Sequence, residues 1–288
     1  MISFSGKVKN ELSLKKIENK NEAFAELCGI FIFGSKFKEE NLVISCEHDF
    51  LFSRINFLMN FVFPNLYFEK ISKKSIHLIK ISSKEKIFDY IKNFDKKDLP
   101  KNLNLFLAGV FLSCGSVTNP NVDYHLEFNV SNESLCNILI HCLNSFKKIN
   151  FNPKTLKRRN SYSIYIKENE KIEDFLVLIG AKSCAMEFMQ VKMIKEVRNN
   201  INRSINFETA NLSKTTSSSS EHIKAIKKIM RKNKFSSLPS SLKETATLRL
   251  KHPYVSLQEL SKLYEKPISK SGVNHRLKKL IEISEKLS

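Results

Sequence analysis

Metal binding and nucleophilic catalysis need cysteine, histidine or carboxylate side chains at set spacings. This chain of 288 residues has six cysteines and seven histidines to test. Cys28, Cys46, Cys114, Cys136, Cys142 and Cys184 form no Cys-x-x-Cys pair. Each lies in an apolar run, where a reduced thiol packs as a small hydrophobe. His48, His77, His125 and His141 show no His-x-x-x-His spacing beside a carboxylate, so no zinc site is expected. The glycine-rich phosphate loops, the Gly-x-Ser-x-Gly elbow and the His-Glu-x-x-His helix are all missing. Glu39-Glu40 sits among lysines and reads as a solvated pair. The expectation is no catalytic residue, no metal and no cofactor.

What remains is electrostatic. Lysine and arginine number 48 against 29 aspartate and glutamate, a net charge of +19. Residues 221–288 carry +10 of that, and the first 220 residues only +9. Charge of that density attracts polyanions by Coulomb steering and counterion release. Apolar residues make up 42% of the chain, enough to exclude wholesale disorder. No run of apolar residues is long enough for a membrane span, and the first residues lack a signal-peptide pattern. A cytoplasmic protein is expected, with no membrane partner.

Helical periodicity divides the basic region into segments at 221–232, 239–251, 256–264 and 269–286. Ser256-Leu-Gln-Glu259 is a capping box, and Ser269 is placed to cap the last helix. On that helix Val273, Leu277 and Leu280 form the stripe that must face a core. The opposite side holds base-edge candidates Ser271, Asn274, His275 and Lys278. Phosphate candidates are Ser269, Lys270, Arg276 and Lys279. A helix, a short turn and a basic helix make a helix-turn-helix pattern over 256–286, with double-stranded DNA as the expected partner.

Those helices need a domain before them. Ser213-Lys-Thr-Thr-Ser-Ser-Ser-Ser220 reads as a linker or helix lead-in, which separates residues 1–212 from a DNA-binding domain at 221–288. The first domain repeats itself. Leu27-Cys-Gly-Ile-Phe-Ile-Phe-Gly-Ser35 and Leu107-Ala-Gly-Val-Phe-Leu-Ser-Cys-Gly-Ser116 are apolar helical segments ending in Gly-Ser. Further on, Lys73-Lys74 falls on Arg158-Arg159, Ile79 on Ile164, and Glu85-Lys-Ile87 on Glu170-Lys-Ile172. Alternating patterns at 42–47, 75–81, 124–129 and 161–167 read as strands, with helices near 50–63 and 131–147. The predicted fold class is α+β. Two pseudo-symmetric αββαββα halves, about 20–100 and 101–200, precede the all-α helix-turn-helix domain. Lys73, Lys74, Arg158 and Arg159 would form a secondary basic face.

That repeat resembles the LAGLIDADG homing endonucleases, whose glycine-bearing helices pack between two halves. The resemblance implies acidic metal ligands at the foot of each helix. Here Leu112 and Cys114 in one copy, and Ile32 and Gly34 in the other, occupy those positions. None supplies the hard oxygen that magnesium requires. With the basic C-terminal region, the chain is similar to the WhiA regulators of bacteria. The similarity rests on Gly180-Ala181, Arg198-Asn-Asn-Ile-Asn-Arg203, Glu208-Thr-Ala-Asn-Leu-Ser-Lys-Thr215 and Ile268-Ser-Lys-Ser-Gly-Val-Asn-His-Arg-Leu277. It implies a non-enzymatic, nucleoid-associated DNA-binding protein that regulates transcription in cell division and chromosome segregation. An active endonuclease with a displaced metal site stays open at this stage. So does an RNA- or protein-binding scaffold, with a protein partner engaged through the vacant sheet face.

Overall fold

Two helices that are apolar nearly all round must be buried on every side, and these two bury each other. In the computed structural model they are α2 (Lys20–Gly34) and α5 (Leu103–Cys114). The structure describes residues 2–38, 40–46, 48–73 and 76–287, with only the backbone of Lys73. Glu39, Lys74 and the Lys73 side chain lie outside the described residues. A Cβ on Gly29 would stand 2.1 Å from the Phe106 carbonyl oxygen, and one on Gly109 would stand 2.0 Å from that of Glu26. Backbone therefore meets backbone at both crossings, which only glycine permits.

Each helix runs directly into a four-stranded antiparallel sheet. The first contains β1 (Ser35–Lys38), β2 (Asn41–Cys46), β3 (Glu69–Lys73) and β4 (Ile76–Ser82), ordered β1-β2-β4-β3. The second repeats that order as β5-β6-β8-β7, from β5 (Gly115–Val117), β6 (Leu126–Val130), β7 (Lys154–Lys157) and β8 (Tyr162–Ile166). Register pairs Ile44 with Ile79 and Phe128 with Ile164, so equivalent residues of the repeat fill equivalent core positions. Lysines mark the edge strands β3 and β7, which discourages edge-to-edge pairing. The halves are completed by α3 (Asp49–Val62) and α4 (Lys86–Lys92), and by α6 (Glu133–Asn144) and α7 (Asn169–Ile179). The αββαββα repeat is thus present twice.

A helix outside the expected repeat, α1 (Phe4–Ser13), buries Phe4, Val8 and Leu12 at i, i+4 and i+8. Its connection to α2 is tied down by Arg54 of α3. That guanidinium donates from Nε and Nη2 to the two Glu26 carboxylate oxygens at 2.8 and 2.7 Å, and from Nη1 to the Lys15 carbonyl at 2.6 Å. Both partners are buried, so removing either would strand a charge at a cost of about 3–5 kcal/mol.

The next helix departs from expectation. α8 (Lys182–Arg231) is continuous through 213–220, so of the two readings that stretch is helix rather than linker, and it absorbs the separate helix expected at 221–232. Thr215 and Thr216 donate their hydroxyls to the Asn211 and Leu212 carbonyls, both at 2.9 Å, so these poor helix formers satisfy their hydroxyls within the helix. The chain forms two compact units, residues 1–195 and 196–288, so the division falls inside α8 rather than near 213. In the second unit Ile226 and Ile229 of α8 pack with α9 (Ser240–Lys251), α10 (Leu257–Lys262) and α11 (Lys270–Glu285) around Leu242, Leu260, Val273 and Leu277.

The glycine crossing sets a stability prediction. Gly109→Ala should lower the urea midpoint, by about 1–3 kcal/mol of overpacking, because backbone must move. Gly272→Ala in α11 meets nothing closer than 3.4 Å. It should instead stabilise by up to about 1 kcal/mol through helix propensity. Equal effects at the two sites would contradict the crossing.

Candidate nucleic-acid interface

α11 is positioned by N-terminal side-chain caps on both helices of the motif. Ser256 accepts the Glu259 amide at 3.2 Å while Glu259 accepts the Ser256 amide at 2.8 Å, closing the expected capping box on α10. The chain turns through 263–269, with the Ile268 amide bonded to the Ser261 carbonyl. Ser269 then caps α11 by accepting the Gly272 amide at 3.1 Å, and lies 3.1 Å from the Ser271 hydroxyl. Val273, Leu277 and Leu280 are buried, as the periodicity required.

On the other side Ser271, His275, Lys278 and Lys279 are exposed and Asn274 is half-buried on the flank. Lys270 is exposed at the first turn. These side chains share one face of α11, with the donors and acceptors that base edges and phosphates require. Arg276, one of the phosphate candidates, also makes contacts within the domain. Its guanidinium lies 5.4 Å from the Tyr264 ring centre, and Nη1 is 3.5 Å from the Ser241 carbonyl and 3.7 Å from Glu244. One position before the buried Leu277, it is directed at α9. Ser269 likewise has its hydroxyl committed to the cap.

The secondary basic face is divided. Arg158 donates from Nη2 to Glu127 at 2.8 Å. The Ser163 hydroxyl bond, with Arg158 and His125, holds the Glu127 carboxyl below the usual range against the opposing effect of burial. Arg159 is exposed, and of the lysine pair aligned with these arginines only the Lys73 backbone is described.

At the foot of α2 and α5 a cavity of about 390 Å³ is lined by Gly34, His48, Leu112, Ser113, Cys114 and Asn129, with Lys9 among its other walls. Leu112 is fully buried, and burial pushes the Cys114 thiol up to about 12, so no thiolate forms near neutral pH. No carboxylate is among the described lining residues. Two residues of the second unit escaped the sequence reading. His222 of α8 and Arg249 of α9 are buried polar side chains on helix faces that otherwise carry core residues. The signal was a cation in phase with Leu242 and Ala246.

These features define a class: a LAGLIDADG-like α+β domain with apolar residues at the acid positions, on one chain with a helix-turn-helix domain. The chain belongs to the WhiA family. The family's C-terminal HTH domain matches residues 201–284, and its LAGLIDADG-like domain matches residues 103–198. The "Probable cell division protein WhiA" of Clostridium botulinum is 36% identical over 99% of both chains. That of Clostridium acetobutylicum is 37% identical over 99% of this chain and 98% of its own. The crystal structure of full-length DUF199/WhiA from Thermotoga maritima is similar across 100% of this chain and 99% of that one, with 27% identity and a TM-score of 0.62. Among the described residues no helix is long and apolar enough to cross a membrane.

Burial, aided by the Arg249 guanidinium and opposed by Glu221, holds His222 below its ordinary value of 6.5. A group depressed by folding contributes stability above its unfolded pKa and loses it as pH falls through the folded one. Thermal midpoints of the C-terminal unit should therefore drop as pH is lowered below about 6.5, and His222→Gln should flatten that drop. An unchanged slope in the variant would contradict a neutral, buried His222.

Proposed function

We propose that this protein is a non-enzymatic, sequence-specific binder of double-stranded DNA, a transcriptional regulator acting at the nucleoid in cell division and chromosome segregation. The observation that carries the reading is the two-sided α11. Its apolar stripe is locked into the domain while Asn274, His275, Lys278 and Lys279 occupy the free face. A capped helix projecting amide, imidazole and ammonium groups fits the major groove, where base edges present a distinct donor and acceptor pattern. The net +10 of residues 221–288 supports affinity for a polyanion. The names of the relatives support the link to division.

A non-enzymatic role is supported by the foot of the helix pair. Metal-assisted phosphodiester hydrolysis needs carboxylate oxygens to hold magnesium and generate the attacking hydroxide. Ile32, Gly34, Leu112 and Cys114 offer a hydrocarbon, no side chain, a hydrocarbon and a protonated thiol. The same feature weighs against the endonuclease alternative.

Base reading and phosphate attraction separate in mutants. Asn274→Ala should cost about 1–3 kcal/mol on the preferred duplex and little on random DNA. Lys279→Ala should weaken both alike and lower the log–log salt slope by about one unit. Arg276→Ala should act through stability of the domain rather than through discrimination. Quantitative gel-shift titrations over a salt series read all three, and equal losses on both duplexes for Asn274→Ala would refute base reading there. The full chain should leave supercoiled plasmid intact with magnesium or manganese. Nicking that survives repurification and disappears on mutating a carboxylate would overturn the non-enzymatic reading.

A further inference from the structure

The second unit contains a hollow walled by cationic and small polar side chains. It encloses about 240 Å³, and its lining includes Lys214, Thr215, His222, Arg249, Gln258 and Lys270. No carboxylate lines it among the described residues. On α8, Thr215, Ser218, Ser219 and His222 fall at i, i+3, i+4 and i+7, so they share one face. The serine-threonine run thus supplies a small polar wall, and two lysines and an arginine stand around it.

Two of the buried side chains lining it each leave one polar atom without a partner. Arg249 is 1% exposed and donates from Nη1 to the Val255 carbonyl at 2.9 Å and the His252 carbonyl at 3.3 Å. Its Nε is buried with no hydrogen-bond partner among the described residues. His222 is 5% exposed, and its Nδ1 is likewise buried and unpartnered. Leaving such polar atoms unsatisfied is costly, and native proteins rarely tolerate it without a water, ligand or ion to complete the set. The repulsion among Lys214, Arg249 and Lys270 asks for the same thing, a compact anion. The Ser256–Glu259 box takes up the Ser256 and Glu259 amides at the first turn of α10, and the cationic side chains make the site.

We propose that this hollow is a phosphate-binding site, in which Lys214, His222, Arg249 and Lys270 together hold one phosphate oxyanion. Phosphate has several acceptor oxygens and matches the planar guanidinium fork in geometry and charge. Lys270 is also the first residue of α11, so an anion held there fixes the start of the base-reading helix. The phosphate comes from the backbone of a bound duplex or from a free phosphate ester. The duplex source rests on the DNA-binding reading above, and the free source does not.

The test uses the full chain and follows the His222 ring resonances by NMR. His222 faces Arg249 of α9, Glu221 and Lys214 of its own helix, and Lys270 of α11, so an added anion must raise its pKa. Inorganic phosphate, titrated at constant ionic strength, should move the resonances saturably. Lys214→Ala, at an exposed helical position that alanine suits, should weaken that response about tenfold. A duplex selected by the protein is then scanned with single methylphosphonates. One position that costs the wild type about tenfold, and costs Lys214→Ala nothing further, assigns the site to the backbone. Duplex affinity indifferent to Lys214→Ala, alongside a retained phosphate response, assigns it to a free ester. Resonances that respond no more to phosphate than to chloride, with Lys214→Ala matching the wild type in both arms, would overturn the proposal. Loss of base discrimination alone would refute the reading of α11 and leave this site standing.

Discussion

The reciprocal approach of Gly29 and Gly109 is the constraint on which the first unit depends. Each missing Cβ lies against the other helix's carbonyl, Phe106 on one side and Glu26 on the other. Because α2 and α5 meet backbone to backbone, the sheets that follow them start from the same shared seam. Glu26 extends the coupling. Its carbonyl touches Gly109, and its carboxylate takes the Arg54 fork that ties α3 to the chain after α1. None of these interactions involves the foot of the helices. The scaffold can therefore keep its form with Leu112 and Cys114 where a nuclease of this fold would need acids.

The second unit depends on direction. Arg276 and Lys279 are close in sequence and alike in charge, yet one is held over the Tyr264 ring and the other is exposed. At 100° per residue, Arg276 lies about 70° from the centre of the Val273–Leu277–Leu280 stripe and Lys279 about 130° from it. Tyr264 is itself fixed by donating its hydroxyl to Thr245 at 2.9 Å, so the aromatic surface under Arg276 is rigid. In the proposed reading, Asn274, His275 and the exposed lysines supply the donors and acceptors of this helix.

Much of this was legible in the residues because it follows from local rules. The Ser256–Glu259 box, the Ser269 cap and the Val273–Leu277–Leu280 stripe each reflect one helix's own geometry. The repeat was legible because Ile79 and Ile164 occupy the same register position in two sheets. What escaped depended on partners distant in sequence. The Ser/Thr run of 213–220 has a linker's composition, yet Ser219 donates to the Pro253 carbonyl and its neighbours continue a helix begun at Lys182. The contacts of Arg276 within the domain escaped because Tyr264 and Glu244 are adjacent to it only after folding. Arg249 and His222 escaped as a site because α8 and α9 enclose them only after folding.

The central claim is that α11 reads base edges rather than merely attracting phosphates. Selection of the full chain against a pool of random duplexes tests it most directly, run in parallel with the Asn274→Ala, His275→Ala double variant. The wild type should enrich a defined sequence. The double variant should retain low-salt affinity but lose enrichment at the bases the helix faces. Enrichment of the same sequence, to the same degree, by the double variant would contradict the claim. It would move the search for a reader to the first unit, where Arg158 and Arg159 are both exposed.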